Sequence, residues 1–353
     1  MTELSPLERA IRTLAEISYR LRMASPIPAR RGQRGGPELF RARAFAEAAQ
    51  MLILFRPDVG TEAGRKQLRA LPGVGERIEQ IVFEAATEGS SRYLARLRQE
   101  AGAEVVNTTV LDAGAYQGDL HSHTPWSDGR APLTEMAGAA VAKGFRYLGV
   151  TDHSPHMTIV KGVTPERLAE QRQEIEAVRP AHPGLTILQG IEVDILEDGS
   201  LDLDDETLAA LDLVIASPHV KLRMPREQMT ERMLRAVAHP AVSILGHPTG
   251  RRPGSRAGAD YDTEAVLREA ARRDVLIEID CDPNRVDVGP ELAAQALALG
   301  CDFALDSDAH APRDFGYIEL GLWVPEVASV PQERIVNCLP ADRLRERLRP
   351  RLA

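Results

Sequence analysis

The pattern that most restricts the fold begins at Gly118, where short apolar runs alternate with longer stretches of helical periodicity. Apolar runs bounded by polar residues or glycine predict buried strands, and the stretches between them predict helices. Repeated strand–helix units favour parallel strands joined by right-handed crossovers, in either a barrel or a doubly wound sheet.

This region contains seven predicted strands and six predicted helices. The strands are one ending near Leu120, Tyr147–Val150, Thr186–Val193, Leu211–Ala216, Val242–Leu245, Val275–Ile279 and Phe303–Leu305. The helices are Pro132–Lys143, Pro165–Val178, Glu227–Ala238, Asp262–Arg273, Glu291–Leu299 and Pro340–Leu348.

The preceding part of the chain has only helical periodicity. Leu7, Ile11 and Leu14 begin one apolar stripe, and similar stripes recur later, which predicts a small helical bundle. Pro26–Pro37 is rich in Pro, Gly and Arg and is predicted to be a basic loop. We therefore predict a helical domain over residues 1–103, a linker over 104–117 and an α/β domain over 118–353.

Composition excludes several protein classes. With 43% hydrophobic and 27% charged residues among 353, the chain fits neither a disordered nor a fibrous protein. Its three cysteines are too few for a disulfide framework or a cysteine-based zinc site, which indicates a reducing compartment. We find no signal-peptide pattern and no long apolar run, so we expect a cytoplasmic protein without membrane association.

Charge is distributed unevenly along the chain. The first 100 residues carry 17 Lys+Arg against 12 Asp+Glu, whereas the remainder carries 26 against 40. A basic segment beside an acidic one is consistent with one part that holds a polyanion and another that concentrates metal ions. The alternative is ordinary variation of surface charge.

Histidines and carboxylates recur where the predicted strands end. The residues concerned are His121, His123, Asp128, His153, Glu192, His219, His247, Asp308 and His310. The carboxyl ends of parallel strands converge on one face, so these side chains are expected to meet in one site. Imidazole and carboxylate suit zinc, manganese or iron, and so many ligands imply two or three ions.

A single histidine at a strand end is more often a hydrogen-bonded structural residue than a ligand. Repetition over six strands argues against that reading here. His156, His182 and His239 instead lie in predicted loops or helix ends and are expected to be surface residues. The acidic run Glu197–Glu206 is expected to be a solvated loop.

These motifs together resemble those of the PHP (polymerase and histidinol phosphatase) domain. They are Asp119–His123, Thr151–His153, the segment around Glu192, His219, Gly246–Pro248 and Ser307–His310. Gly246–Arg251 and Asp282–Arg285 are most similar to the PHP domain of bacterial family X DNA polymerases. The resemblance implies a distorted (β/α)7 barrel with a trinuclear metal centre, preceded here by a small all-α domain.

The resemblance also implies roles for individual residues. The nine strand-end residues would ligate two to three divalent ions, Mn or Zn or Fe, in three sets. The sets are His121, His123 and Asp308; Glu192, His219 and His247; and Asp128, His153 and His310. Glu192 would be shared between two ions and act in catalysis. Arg251 and Arg285 would either clamp phosphate or form structural ion pairs.

Leu71–Ile78 is a glycine turn that leads into a helix. Gly73 and Gly75 would let backbone amides approach a phosphate at the helix N-terminus, as in sequence-independent nucleic-acid binding. A plain helix C-cap turn is the alternative. The stretch lacks the third glycine of a dinucleotide fingerprint.

The glycine turn resembles a helix-hairpin-helix motif, and Glu38–Phe45 extends the resemblance to the small DNA-end-binding domain of family X polymerases. This implies DNA contacts by a few residues. They are Gly73, Gly75, Arg77, Arg41 and Arg43. Ile81 stands where lyase-active relatives carry a lysine, so Schiff-base chemistry is not expected. The short linker leaves no room for a polymerase palm, so polymerase activity is not expected either.

Three functions compete at this point. The first is a metal-dependent phosphoesterase that acts on DNA, as a 3′-5′ exonuclease or in 3′-end processing during DNA repair. The second is a small-molecule phosphatase of the histidinol phosphatase type, and the third is a noncatalytic DNA-binding or assembly factor. The complete ligand set argues against the third function, and the hairpin domain favours the first over the second.

Overall fold

Seven parallel strands form a single sheet in chain order in the computed structural model, which describes residues 3–27, 36–102, 111, 113–157 and 160–348. The strands are β1 (Gly118–Asp119), β2 (Tyr147–Val150), β3 (Thr186–Asp194), β4 (Leu213–Ser217), β5 (Ile244–Leu245), β6 (Leu276–Asp280) and β7 (Phe303–Asp306). Residues 28–35 of the predicted basic loop and most of the predicted linker lie outside the described residues.

The sheet closes on itself just beyond the ends of β1 and β7. Ser122 and Ala309 form a parallel bridge, and His123 N–H donates to the Ala309 carbonyl oxygen at 2.8 Å. The fold is therefore a (β/α)7 near-barrel, and the predicted α/β class is confirmed. Every strand except the first residue of β3 is buried, as expected for parallel strands covered on both faces.

Helices surround the barrel, and one of them also closes the end at which the strands begin. The helices of the barrel region are α6 (Leu133–Ala142), α7 (Pro165–Val178), α8 (Asp205–Ala209), α9 (Arg226–Val237), α10 (Thr263–Arg273), α11 (Pro290–Ala298), α12 (Tyr317–Gly321), α13 (Trp323–Val327) and α14 (Ala341–Leu348). Leu344 and Leu348 of α14 pack with strand residues such as Leu213 and Ile244 in a separate interior cluster. The opposite end of the barrel, where the strands have their carboxyl ends, carries the predicted metal ligands.

The predicted strands and helices match these elements to within a few residues. The acidic run Glu197–Glu206 is the exception, because it is not a loop throughout. Asp204 accepts a hydrogen bond from Thr207 N–H and caps α8, which begins inside the run. Helices α12 and α13 were not predicted, since each spans a little over one turn and carries too little periodicity to detect.

Five helices precede the barrel. They are α1 (Pro6–Ala24), α2 (Pro37–Phe55), α3 (Glu62–Arg69), α4 (Glu76–Glu88) and α5 (Arg92–Glu100). Ser5 begins α1 with a capping box to Glu8, and Pro6 occupies the first turn, where its missing N–H costs nothing. This helical segment is the predicted all-α part of the chain.

Helix α1 is buried over Ala10–Arg22 because it packs against the other helices on one side and the barrel region on the other. Arg12 forms a buried ion pair with Glu326 of α13 and donates to the Leu111 carbonyl oxygen at 2.9 Å. Tyr19 packs on Trp323 with ring centroids 5.2 Å apart. The helical segment and the barrel therefore share one continuous core, while the domain boundaries at 103 and 118 stay a prediction.

None of the helices in the described ranges combines the length and the apolar character needed to cross a membrane.

The ion pair between Arg12 and Glu326 predicts a measurable contribution to stability. Arg12→Met leaves a buried carboxylate without its cation, so we expect the free energy of unfolding to fall by about 3–5 kcal/mol in urea titrations. Arg268→Met, which removes an exposed partner of Glu264, should cost about 1 kcal/mol or less. Equal losses in both variants would show that the buried pair does not hold the helices to the barrel.

Candidate metal centre

The nine predicted ligand residues all lie at the carboxyl end of the barrel. His121 and His123 follow β1, with Asp128 in the next turn, and His153 follows β2. Glu192 lies within β3, and the remaining residues follow β4, β5 and β7. They are His219, His247, Asp308 and His310. Segments far apart in sequence thus deliver their side chains to one place.

Glu192 occupies the centre of this group and is fully buried. One carboxylate oxygen, Oε1, lies 2.6 Å from His247 Nε2 and 3.1 Å from His219 Nε2. The other, Oε2, lies 2.8 Å from His153 Nδ1 and 3.4 Å from His121 Nε2. This one carboxylate therefore contacts imidazoles from several strands.

Asp308 and Asp128 complete the group on either side of His123. Asp308 Oδ1 lies 3.0 Å from His123 Nε2 and 3.7 Å from His121 Nε2. Asp128 Oδ2 lies 3.3 Å from His310 Nε2, and Asp128 Oδ1 lies 3.8 Å from His123 Nδ1. His123 is thus shared between two carboxylates.

Donor atoms within 4.8 Å of one another fall into three overlapping groups. They are His121, His123 and Asp308; His123, Asp128, His153 and His310; and His153, Glu192 and His219. The first group equals one predicted ligand set, and the second contains another together with His123. In the third, His153 stands beside Glu192 and His219, while His247 contacts Glu192 from outside the group. Nine ligand roles remain a prediction, and the geometry brings all nine residues together.

Several buried donor atoms at the centre have no hydrogen-bond partner among the residues that the structure describes. These atoms are Nε2 of His121 and His219, Nδ1 of His123 and His153, and Oε2 of Glu192. His153 Nδ1 and Glu192 Oε2 are close to each other without hydrogen-bond geometry. Since buried polar atoms are nearly always satisfied, lone pairs that converge in this way fit divalent cations. Nitrogen and carboxylate donors together suit zinc, manganese or iron.

The charges of the group shift the pKa values of its members in opposite directions. Burial raises the pKa of Glu192, but the surrounding imidazoles, His219 first, outweigh burial and hold it well below its usual value. Burial, together with neighbouring His310 and His153, lowers the pKa of His123 to about 3. Burial also lowers the pKa of His219, but Glu192 and Asp194 outweigh burial and raise it to about 9. Glu192 is therefore ionised and His123 neutral, which are the states in which each can ligate a metal.

Two further carboxylates hold the imidazoles in place from behind. Glu278 on β6 contacts His121 Nδ1 through Oε1 at 2.6 Å, and its Oε2 accepts from the backbone N–H of His247 at 2.6 Å. Asp194 on β3 contacts His219 Nδ1 at 3.0 Å. The contacts to His121 and His219 each occupy Nδ1 and direct Nε2 toward Glu192. Such outer contacts fix the tautomer and orientation of metal-binding histidines.

The backbone is strained at two residues of the site. His247 has φ of 23° and Asp308 has φ of 52°, a region that residues other than glycine rarely adopt. Strain of this kind persists where surrounding contacts over-determine the conformation, and it concentrates at functional sites.

A cavity of about 430 Å³ opens beside the group. Asp128 and His310 border it with side chains that are 31% and 25% exposed, whereas Glu192 is closed off. Among the described residues that line the cavity, none is a serine, threonine or cysteine. A ligand therefore approaches from the side of Asp128 and His310, and the described cavity wall offers no serine, threonine or cysteine as a nucleophile.

Comparison with known proteins agrees with this geometry. The family model described as "PHP domain" matches residues 119–279. A probable phosphatase from Thermoanaerobacter sp. (strain X514) is 32% identical over 240 residues, which cover 62% of this chain and 89% of that protein. This chain belongs to the PHP-domain family. It is a metal-dependent phosphoesterase.

Two other similarities were found. The DNA polymerase/3′-5′ exonuclease PolX of Bacillus subtilis (strain 168) is 38% identical over 255 residues, which cover 67% of this chain. The same alignment covers only 45% of the length of that relative. Histidinol phosphate phosphatase of Lactococcus lactis, solved with zinc, L-histidinol and phosphate, aligns at a TM-score of 0.45 and 17% identity, over 60% of this chain and 94% of that one.

The two predicted phosphate-clamping arginines of the PHP domain have different positions. Arg285 lines the cavity, with Nε 2.9 Å from Asp280 Oδ2 and Nη2 3.4 Å from Asp308 Oδ2. Arg251 does not line the cavity. Its Nη2 donates to the Val286 carbonyl oxygen at 2.8 Å and to Tyr19 Oη at 3.1 Å. Arg251 therefore joins the PHP barrel to α1, and its role as a phosphate clamp stays a prediction.

The predicted DNA contacts lie on the surface of the helical segment. Gly73 has φ of 78°, and neither it nor Gly75 has an atom within 4 Å of where a Cβ would lie. The glycine turn is thus open to an approaching ligand. Arg77 stacks over Tyr93 at 4.7 Å, and Arg41 pairs with Glu38 at 3.2 Å while staying exposed. Ile81 is buried, and Arg43 is exposed.

Sequence reasoning missed Glu278 and Asp194. Each had a detectable signal, because Glu278 interrupts an apolar strand that parallel packing buries on both faces. Asp194 lies two residues after Glu192 on β3 and so points to the same side. Asp152 was also missed, although it accepts hydrogen bonds from Thr124 and Ser127 and thereby shapes the turn that carries Asp128.

Glu278→Gln tests the orienting role. The amide keeps the size of the side chain but cannot accept from both His121 Nδ1–H and the His247 backbone N–H. We expect metal affinity to fall about 10- to 100-fold, measured by chelator competition with elemental analysis. Glu264→Gln, an exposed change on α10, serves as the control and should leave affinity unaltered. Unaltered affinity in Glu278→Gln would refute the orienting role.

Proposed function

We propose that this PHP protein hydrolyses phosphoester bonds in DNA, as a 3′-5′ exonuclease or in 3′-end processing during repair. The two to three metal ions of the proposal are Mn or Zn, or else Fe. The observation that carries the proposal is the position of the helical segment. One end of α1, in the segment that carries the predicted DNA contacts, packs against the rim of the metal cavity.

The end of α1 reaches that rim directly. Arg22 Nη2 donates to Asn284 Oδ1 at 3.0 Å, and Asn284 lines the cavity. Burial lowers the pKa of Arg22, and nearby Arg43, a predicted DNA contact, lowers it further. Arg43 is therefore close to a residue that touches the cavity wall. A DNA strand bound by the basic helical segment would lie next to the metal centre.

The charges of the two parts support the same division of work. The chain after residue 100 has an excess of acidic over basic residues, and a surface of this sign repels DNA. The first 100 residues have the opposite excess, so they would supply the sequence-independent attraction to the phosphate backbone. The name of the Bacillus subtilis relative, which includes 3′-5′ exonuclease, supports hydrolysis of DNA.

Divalent cations at such a site supply an activated water and neutralise charge on the phosphoryl group. The side chains of the protein hold and orient the reactants around that chemistry. Glu192 keeps the imidazoles together, and Asp128 and His310 face the entering phosphate from the open side of the cavity. Arg285 lines the cavity, and its Nη1 has no hydrogen-bond partner among the described residues, so we expect this guanidinium to donate a hydrogen bond to a phosphoryl oxygen.

Nucleotide polymerisation is not included in the proposal. Residues 101–117, which connect α5 to β1, are too few to form a further catalytic domain between the helical segment and the barrel. Schiff-base lyase chemistry is not included either, because Ile81 packs in the helical core and has no amine.

A small-molecule phosphatase is the second candidate. Several relatives called probable phosphatases match the chain over most of their own length, among them the Thermoanaerobacter protein. The cavity volume of about 430 Å³ lies within the range typical of small-ligand pockets, roughly 300–1,000 Å³. This candidate gives the helical segment no role in substrate binding.

Incubation of Mn-loaded protein with end-labelled DNA and, separately, with histidinol phosphate distinguishes the two candidates. We expect DNA to be degraded and histidinol phosphate to persist. Glu192→Ala should abolish hydrolysis while it changes DNA affinity less than about twofold, because the binding surface lies elsewhere. Rapid loss of histidinol phosphate with intact DNA would favour the phosphatase, and parallel loss of DNA binding in Glu192→Ala would contradict the division of work.

Gly75→Val tests the glycine turn. A Cβ at this position meets no atom within 4 Å and φ is −84°, so the fold should tolerate it. The side chain would obstruct an approaching phosphate backbone. We expect DNA hydrolysis to fall about tenfold and hydrolysis of p-nitrophenyl phosphate to be unchanged. Gly184→Val, at an equally open position on the barrel, is the matched control. Equal effects of Gly75→Val on both substrates would exclude this role.

A further inference from the structure

Residues 250–256 form a tight turn that carries two arginines at the rim of the metal cavity. Arg252 N–H donates to the Arg256 carbonyl oxygen at 2.9 Å, and Arg256 N–H donates back to Arg252 at 2.7 Å. Residues paired in this way across antiparallel backbone place their side chains on the same face. Both arginines line the cavity that borders Asp128, Asp308 and His310.

No carboxylate of the described residues forms a close ion pair with Arg252 or Arg256. Arg256 Nε donates to the Gly250 carbonyl oxygen at 2.8 Å, which fixes the guanidinium without neutralising it. Burial, together with the nearby charges of Arg285 and Arg252, lowers the pKa of Arg256 to about 10. Three guanidinium groups therefore gather at one side of the cavity.

Contacts with the helical segment hold the turn in place. Gly254 lies at its tip with φ of 72°, and a Cβ there would be 3.1 Å from Leu39 Cδ1 and 3.2 Å from Ser25 Cβ. Arg251, at the base of the turn, is anchored by Tyr19 Oη. The arginines are thus presented by a supported turn, and the support comes from the part of the chain proposed to bind DNA.

We infer that Arg252 and Arg256 form a second phosphate subsite, which binds the phosphate next to the scissile one in a nucleic acid strand. This inference rests on the proposed function. The scissile phosphate would already be neutralised by the metal centre and Arg285. Two more guanidinium groups without carboxylate partners match a further anion, and their planar donor arrays suit phosphate oxygens.

The subsite would determine which phosphoesters the site prefers. A monoester can bind at the metal centre, but it leaves Arg252 and Arg256 exposed to solvent. A nucleotide within a DNA chain has a second phosphate, which would bind to these two arginines. The preference for DNA over small monoesters would therefore come from the barrel itself as well as from the helical segment.

Binding of two nucleoside phosphonates to Mn-loaded protein tests the inference. In thymidine 3′,5′-bisphosphonate and thymidine 3′-phosphonate, a P–C bond replaces each ester, so calorimetry reports binding without hydrolysis. We expect wild-type protein to bind the bisphosphonate about tenfold more tightly than the monophosphonate. Arg256→Gln should remove most of this advantage while changing affinity for the monophosphonate less than about twofold.

Arg252→Gln is the second variant, because its exposed side chain can be replaced without disturbing the Arg256 contact to Gly250. Arg226→Gln removes an exposed arginine paired with Asp260 and is the control, which should keep the full advantage. Equal affinity of wild-type protein for both phosphonates, or a full advantage in both Arg252→Gln and Arg256→Gln, would overturn the inference. Intact DNA after incubation, combined with the phosphonate advantage, would instead refute the proposed function and leave the subsite standing.

Discussion

The carboxylate of Glu192 is the constraint around which the catalytic end of the barrel is arranged. It is buried, ionised and within 3.7 Å of imidazole nitrogens from five histidines. A buried charge is costly unless it is paired, and the imidazoles around Glu192 hold its pKa well below the usual value. Imidazole nitrogens and carboxylate oxygens that converge in this way fit divalent cations. The strained backbone of His247 and Asp308 and the carboxylates behind the histidines serve this one arrangement.

The helical segment and the barrel form one structural unit because α1, the first helix of the segment, packs against the other helices and against the barrel region. The Arg12–Glu326 ion pair, the packing of Tyr19 on Trp323 and the contact of Arg22 with Asn284 follow one another along α1. A flexible tether would only raise the local concentration of DNA near the site. A packed helix would instead fix the direction from which a DNA strand enters. Under the proposed function, the predicted DNA-binding surface and the metal cavity could then act on the same strand.

Charges of both signs line the cavity. Carboxylates and imidazoles lie there together with the guanidinium groups of Arg252, Arg256 and Arg285. The carboxylates and imidazoles attract cations, and the guanidinium groups attract anions. A phosphoester neutralised from both sides at once fits such a cavity better than a neutral substrate does.

Local periodicity in the sequence was enough to predict the seven strands and six helices of the α/β region to within a few residues, and the residues at the strand ends predicted that nine histidines and carboxylates would meet. These features depend on residues close together in the chain and on the rule that parallel strands end on one face. Only the tertiary structure decided that Arg285 faces the cavity while Arg251 faces Tyr19, since a guanidinium at the end of a long side chain can reach either way. It also decided that Glu278 holds His121 and that Gly254 packs on Leu39, because such contacts join residues whose separation in sequence leaves no periodic signal.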